Sequence, residues 1–287
     1  MQNLEIKEVK SFWNQNICGT QFIKNRFGTR EFFEEYSRFR YTTEWHLNEF
    51  VSFDRYKEKK VLEVGCGMGA DGRRFAENGA IYTGIDLTES AVNATKNHFQ
   101  LFNLNGEFKI ENVEEMDFAD KSFDMVYAHG VLHHTPDIKK AINEIYRVLK
   151  PDGEIIIMLY HKNSLNYYFR IMIVLRMIVL IYIIFRPILT KKLKKRWLEE
   201  HYQNFIKIGK NYFRPSEFLN HATDGVECPI ARAYTKDDVK KLFDQFGDLK
   251  FRVAHPPLRK YTKLAPFWFE RLLAKRFGWY LFVYGKK

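Results

Sequence analysis

Lys60-Val61-Leu62-Glu63-Val64 is a short β-forming run that passes directly into Gly65-Cys66-Gly67-Met68-Gly69, and the stretch from Ala70 to Asn78 that follows has helical character, stopped by Gly79. A strand, a glycine-rich turn and a helix in that order restrict the chain to very few architectures. Glycines let the backbone turn sharply and lie close to a ligand, and the helix behind them presents unpaired N–H groups. The rhythm continues downstream. Strands are expected over 81–86, 107–113, 123–128 and 154–160. Between them lie a helix capped by Thr88 and one from Asp137 to Leu149 with Ile138, Ala141, Ile142, Ile145, Val148 and Leu149 on one face. Alternating strands and helices form βαβ units around a parallel sheet, with ligands beyond the carboxyl ends of the strands where the strand order reverses.

The alternation stops at residue 161 and resumes at Thr235, followed by two further strands over 249–254 and 279–284. The expected fold is therefore α/β, a Rossmann-like, doubly wound, mostly parallel seven-stranded sheet. Residues 1–58 form an N-terminal helical cap, 59–160 the nucleotide-binding core, 161–234 a helical lid or insertion, and 235–287 the rest of the core.

Asp86 ends the second strand, 21 residues after Gly65, where a carboxylate can accept both hydroxyls of a ribose. Gly67-Met68-Gly69-Ala70-Asp71-Gly72 also fits the dinucleotide pattern, and a plain tight turn is the bland reading. Against both stands Glu63, a charge at the strand end, together with closely alternating glycines that suit an amino-acid moiety as well as a pyrophosphate.

Later blocks narrow the choice. Val61 to Gly69, the run Asn112-Val113-Glu114-Glu115-Met116-Asp117-Phe118 with Asp120 to Asp124, Gly130-Val131-Leu132-His133-His134, and Arg147 to Glu154 occur in order. Together they resemble the class I S-adenosylmethionine-dependent methyltransferases, in particular the group with ubiquinone/menaquinone-biosynthesis and small-molecule O-methyltransferases. The resemblance covers about residues 59 to 160. It implies S-adenosyl-L-methionine as cofactor. Glu63 and the loop of Gly65, Cys66, Gly67 and Gly69 would hold the methionine end, Asp86 the ribose, Leu87 the adenine face, and Asn112 and Val113 the adenine edge. Many relatives have Asp at the position of Asn112 and Pro at that of Asp117; an amide oxygen can still accept from the adenine amino group.

Methyl transfer from a sulfonium chiefly requires alignment and exclusion of water. A hydroxyl acceptor also needs a general base. His133 and His134, following the fourth strand, are the candidates; the alternative is a capping or packing role. His129 would shape the methionine pocket. Tyr160 and His161 at the end of strand five, and His221 and Asp224 in the insertion, are candidate acceptor contacts, against edge-of-sheet and polar-loop roles. No Asn/Asp-Pro-Pro-Tyr-type motif occurs, which argues against methylation of nucleobase amino groups.

Cys18, Cys66 and Cys228 show neither metal-ligand spacing nor a disulfide framework, so no metal and a reducing, cytosolic setting are expected. The polar N-terminus does not read as a secretory signal. A net charge of +11 and 26 Phe with 16 Tyr point to anionic or apolar partners. Ile171 to Phe185 is almost wholly apolar; as fifteen helical residues it would span about 22 Å, short of a roughly 30 Å hydrocarbon core. The polybasic run Lys191 to Trp197 follows at once. An interfacial anchor peripheral to the inner membrane face, a lid packed on the core, and a homodimer interface all fit. The leading expectation is methylation of oxygen or carbon on a small, apolar or lipid-linked acceptor. RNA or peptide methylation on the basic surface, and a cofactor-binding module without transfer, are the alternatives.

Overall fold

The computed structural model describes residues 6–192, 195–255 and 266–287. Its strands are β1 (Lys60–Val64), β2 (Ile81–Asp86), β3 (Glu107–Ile110), β4 (Phe123–His129), β5 (Leu149–His161), β6 (Ala233–Tyr234), β7 (Gly247–Ala254) and β8 (Tyr280–Lys286). Seven lie in the spatial order β3-β2-β1-β4-β5-β8-β7, and the two-residue β6 pairs in parallel with the end of β5. The strands β1 to β5 pair in parallel, while β8 runs antiparallel to both β5 and β7. The sheet is thus the expected mostly parallel one. The order reverses between β1 and β4, so the loops after these two strands open on one crevice.

Both faces of the sheet are covered. Side chains alternate along a strand, so Val61 packs with Phe75, Tyr82, Met125 and Tyr127 on one side, and Leu62 and Val64 with Val126, Ile142 and Ile145 on the other. Helix Ile138–Val148 buries the apolar stripe read from its sequence, and the Asp137 side chain accepts from the N–H groups of Lys139 and Lys140. Full burial of each such aliphatic side chain is worth roughly 1.5–3 kcal/mol.

Two strand boundaries differ from expectation for local reasons. Strand β3 stops at Ile110 because the Asn112 side-chain oxygen accepts the Glu114 N–H at 3.1 Å and turns the chain. Strand β5 starts at Leu149 and passes through the Pro151-Asp152-Gly153 turn; Asp152 adopts φ 62°, and Lys287 pairs with Asp152 and Gly153.

The N-terminal segment carries helices Ile6–Gln15 and Arg30–Thr43, which lie over the crevice. Phe32, Phe33 and Tyr36 pack against Met68, Ala70 and Ala94. The segment 161–234 is mainly helical, with a cluster of its own in which Tyr167, Ile171, Val179, Tyr182, Leu198 and Tyr212 meet Tyr160 of β5 and Trp279, the residue before β8. The apolar run is not the short helix read from its sequence. It lies in a helix of 25 residues, Asn166–Thr190, long and apolar enough by length and composition to cross a membrane. At helical rise this is roughly 35 Å. The helix begins earlier, in ten π-helical residues Asn166–Leu175, and continues beyond Phe185 (φ −101°, ψ 16°), where a kink accommodates Pro187. Of the basic run, Leu193 and Lys194 and the side chains of Lys191 and Lys192 lie outside the described residues.

Candidate active site

The loop after β1 is shaped by its glycines. Gly65 adopts φ 74°, and a Cβ there would stand 2.2 Å from Val131 Cγ2 in the loop after β4. At Gly72 space rather than backbone angle forbids a side chain: a Cβ would lie 2.3 Å from Tyr82 Oη and 2.8 Å from Glu63 Oε2. That closeness lets Tyr82 donate to Glu63 at 2.5 Å, which fixes the buried carboxyl at the floor of the loop. Asp86 Oδ2 accepts the Gly67 N–H at 3.2 Å, and Oδ1 accepts from the N–H and hydroxyl of Thr88 at 2.9 and 2.8 Å. Burial pushes the Asp86 carboxyl up, and these donors pull it back toward the ionised form.

These groups surround a cavity of about 240 Å³ in the crevice. Glu63, Gly65, Cys66, Gly67, Asp86, Leu87, Asn112, Val113 and His129 all line it. Gly69 stands just behind, at φ 74°, where a Cβ would lie 2.8 Å from Thr95 Cγ2.

One charged group in the wall is not apparent in the sequence. Arg40, on the N-terminal helix, donates through Nε to Asp71 Oδ1 at 2.9 Å and through a second nitrogen to Oδ2, and its remaining nitrogen faces Glu44 at 3.1 Å. Tyr41 and Tyr127 also donate to Asp71, each at 2.8 Å. Burial alone would raise the carboxyls of Asp71 and Glu44. Arg40 outweighs it, with help from His129, and holds Asp71 below the usual range and Glu44 at about 2. His129 lies 3.7 Å from Glu44 and is pulled down to about 4, mainly by burial.

The cavity wall thus carries the acidic side chains of Glu44, Glu63, Asp71 and Asp86, with Arg40 the single arginine among its described lining residues; burial, and then the neighbouring Asp71, push the Glu63 carboxyl well above the usual range. A pyrophosphate would meet a wall of like charge. A ligand bearing an ammonium and a sulfonium beside one carboxylate fits this acidic lining better.

On the other side of the cavity, His134 Nδ1 lies 2.6 Å from the Ile230 carbonyl, which can only accept, so Nδ1 carries the proton. In the neutral ring Nε2 then carries the lone pair, 3.5 Å from Asp224 Oδ2. Tyr160 donates to both oxygens of Asp224, at 2.9 and 3.0 Å. The three residues line the cavity beside the apolar side chains of Val9, Trp13, Ile17 and Met158. A histidine presenting a lone pair next to a carboxylate can accept a proton and have the resulting charge stabilised.

The other sequence candidates lie elsewhere. His133 is fully buried and does not line the cavity; it packs on the Tyr160 ring at 3.8 Å, and burial drives it well below its usual pKa. This removes it from the pair of candidate bases. His161 holds the Gly278 carbonyl at 3.0 Å, and His221 holds the Val226 carbonyl at 2.5 Å; neither reaches the cavity. Asp224, the other candidate from the insertion, does reach it. His134, Asp224 and Cys228 place ligand-type atoms within 4.8 Å of one another. However, Cys228 faces Nδ1, which the Ile230 carbonyl already occupies, and Asp224 faces Nε2, so one ion could not use all three.

Comparison with known proteins agrees with this geometry. A family model described as a methyltransferase domain matches residues 62–157. The chain is 32% identical over 115 residues to a ubiquinone biosynthesis O-methyltransferase of Coxiella burnetii, which covers 40% of this chain and 49% of that protein. It is 38% identical over 112 residues to squalene methyltransferase 1 of Botryococcus braunii, covering 38% and 30%. The chain therefore spans half or less of the length of these curated relatives. Among solved structures, a SAM-dependent methyltransferase of Methanosarcina mazei matches with a TM-score of 0.51 at 20% identity over 84% of this chain and 96% of that one, a likeness of fold. Residues 62–157 are thus a methyltransferase domain, similar to that of the class I S-adenosylmethionine-dependent methyltransferases, whose methyl donor is S-adenosyl-L-methionine.

Proposed function

We propose that the chain methylates an oxygen or carbon atom of a small, apolar acceptor, and that His134 is the general base where the acceptor is a hydroxyl. The observation that carries this reading is the Nε2 lone pair of His134, open to the cavity and backed by Asp224. S-adenosylmethionine, when bound, supplies a methyl carbon that a nucleophile displaces from sulfur, the electron pair of the C–S bond staying on sulfur. Glu63, Asp86 and the Gly65–Gly69 loop would hold its two ends. The acceptor's hydroxyl proton passes to His134 Nε2. Asp224 stabilises the imidazolium, and Tyr160 holds Asp224 in place. The N-terminal helices cover the crevice and exclude water, and such positioning supplies on the order of 7–11 kcal/mol.

The apolar wall of Val9, Trp13, Ile17 and Met158 favours an acceptor with little charge. The names of the relatives, one in ubiquinone biosynthesis and one for squalene, fit acceptors of that kind. The test is to incubate the protein with methyl-labelled S-adenosylmethionine and a cell extract, then fractionate. Label in the organic-soluble small-molecule fraction, abolished by His134→Ala, is expected. Label confined to RNA or protein would assign the acceptor to another class.

A further inference from the structure

The helix Asn166–Thr190 has two faces of different character. Ile171, Val179 and Tyr182 are buried in the insertion's own cluster. Opposite them Phe169, Ile173, Met177, Leu180, Ile184 and Ile188, spaced three or four apart, form one stripe, and all six stand in solvent; Phe169, Ile184 and Ile188 are about 60% exposed, at 61%, 60% and 61%. The sequence of this helix contains three charged residues, and each is drawn onto the protein. Arg170 donates to Asn166 and to the Ala222 carbonyl, Arg176 to the Phe213 carbonyl, and Arg186 to Glu199 at 2.8 Å. The outer stripe is left without a charge for its whole length. A contiguous exposed face of this kind marks a surface that meets another apolar phase.

The chain's charge says which. Five of the six residues from Lys191 to Arg196 are basic, at the end of the apolar stripe, and the whole chain carries +11. Arg196 and Lys195 are exposed. Two copies of a chain so charged repel each other, whereas an anionic bilayer attracts the basic run and accepts the apolar stripe at the same time. We propose that this helix lies in the plane of an anionic membrane surface, its outer stripe among the acyl chains and the basic run over the head groups. It does not cross the bilayer in this arrangement. Crossing would strip Ile171, Val179 and Tyr182 from their cluster and carry three arginines into hydrocarbon. This inference is independent of the methyl-transfer reading.

Flotation of the full chain with vesicles tests it, using phosphatidylcholine alone or mixed with phosphatidylglycerol. The protein is expected to float with the mixed vesicles at low salt, to remain behind with neutral ones, and to be released as salt rises, since the basic contribution is screened. Ile173→Glu with Ile184→Glu, both at exposed positions, and separately Lys191→Gln with Lys192→Gln, Lys194→Gln and Lys195→Gln, should each lower the bound fraction roughly tenfold or more. Circular dichroism and the thermal melt of each variant report that the fold is intact. Three results would overturn the proposal: a soluble protein under low-salt anionic conditions, a dimer that the Ile173/Ile184 pair dissociates while no vesicle binding occurs, or association that resists an alkaline wash as a spanning helix does.

Discussion

His134 Nε2 and Asp224 Oδ2 stand 3.5 Å apart on one wall of the cavity, one from the turn after β4 and the other from the insertion. With the Nδ1 proton committed to the Ile230 carbonyl, the acceptor proton can enter only on the Asp224 side. His134→Ala should therefore lower turnover on a hydroxyl acceptor by roughly 10²-fold or more, with the affinity for S-adenosylmethionine unchanged. Asp224→Asn should lower kcat less, because Asp224 backs the base and does not itself take the proton. Steady-state kinetics across pH measures both. Equal rates for wild type and His134→Ala would assign proton removal to another group or show that none is needed.

Arg40 and Asp71 are a second pair whose partners answer for each other. The Asp71 side chain is 2% exposed, so Arg40→Met leaves a buried carboxylate without its cation. A loss of about 3–5 kcal/mol in urea unfolding is expected. Adding Asp71→Asn should restore part of it, since the stranded charge is then gone. If the double variant is as unstable as the sum of the single ones, the two residues are not coupled.

Buried neutral histidines set the response to acid. Burial is the leading cause that pulls His98, His129 and His201 down to about 4 and His46 to about 2. An unfolded histidine titrates near 6.5, so below that pH the unfolded chain binds more protons than the folded one. Stability is then full above about pH 6.5 and declines as pH falls toward about 4. Thermal melting at about pH 7 and about pH 5 should show a clearly lower Tm at the acid value. A Tm unchanged between the two would contradict the burial of these rings.

The parts legible in the sequence are those written locally. The strand, glycines and Asp86 lie within one βα unit and its successor, and the stripe of Ile138 to Val148 repeats at helical period, so the core and one end of the site follow from spacing alone. Arg40 and Asp71 come together from two helices, Arg30–Thr43 and Ala70–Glu77, separated by the first strand, and no spacing rule links them. His133 and His134 are neighbours on a 3₁₀ turn, Leu132–His134, where successive side chains diverge by about 120°, so one points into packing and the other into the cavity. His221 and Asp224 are both named by the turn they share, but composition does not say which of them faces the cavity; the Val226 carbonyl holds His221 and leaves Asp224 in the lining. The apolar helix was read short because Arg170, Arg186 and Pro187 look like boundaries; the structure turns the arginines inward and continues the helix past the proline.

Isothermal titration of the purified chain with S-adenosylmethionine and with its demethylated product tests the central claim most directly. Both should bind the wild type, and Asp86→Ala, which removes the carboxylate between Gly67 and Thr88, should weaken both roughly tenfold or more while circular dichroism stays unchanged. Tight binding of NADH with no heat from either methyl-donor ligand would contradict it.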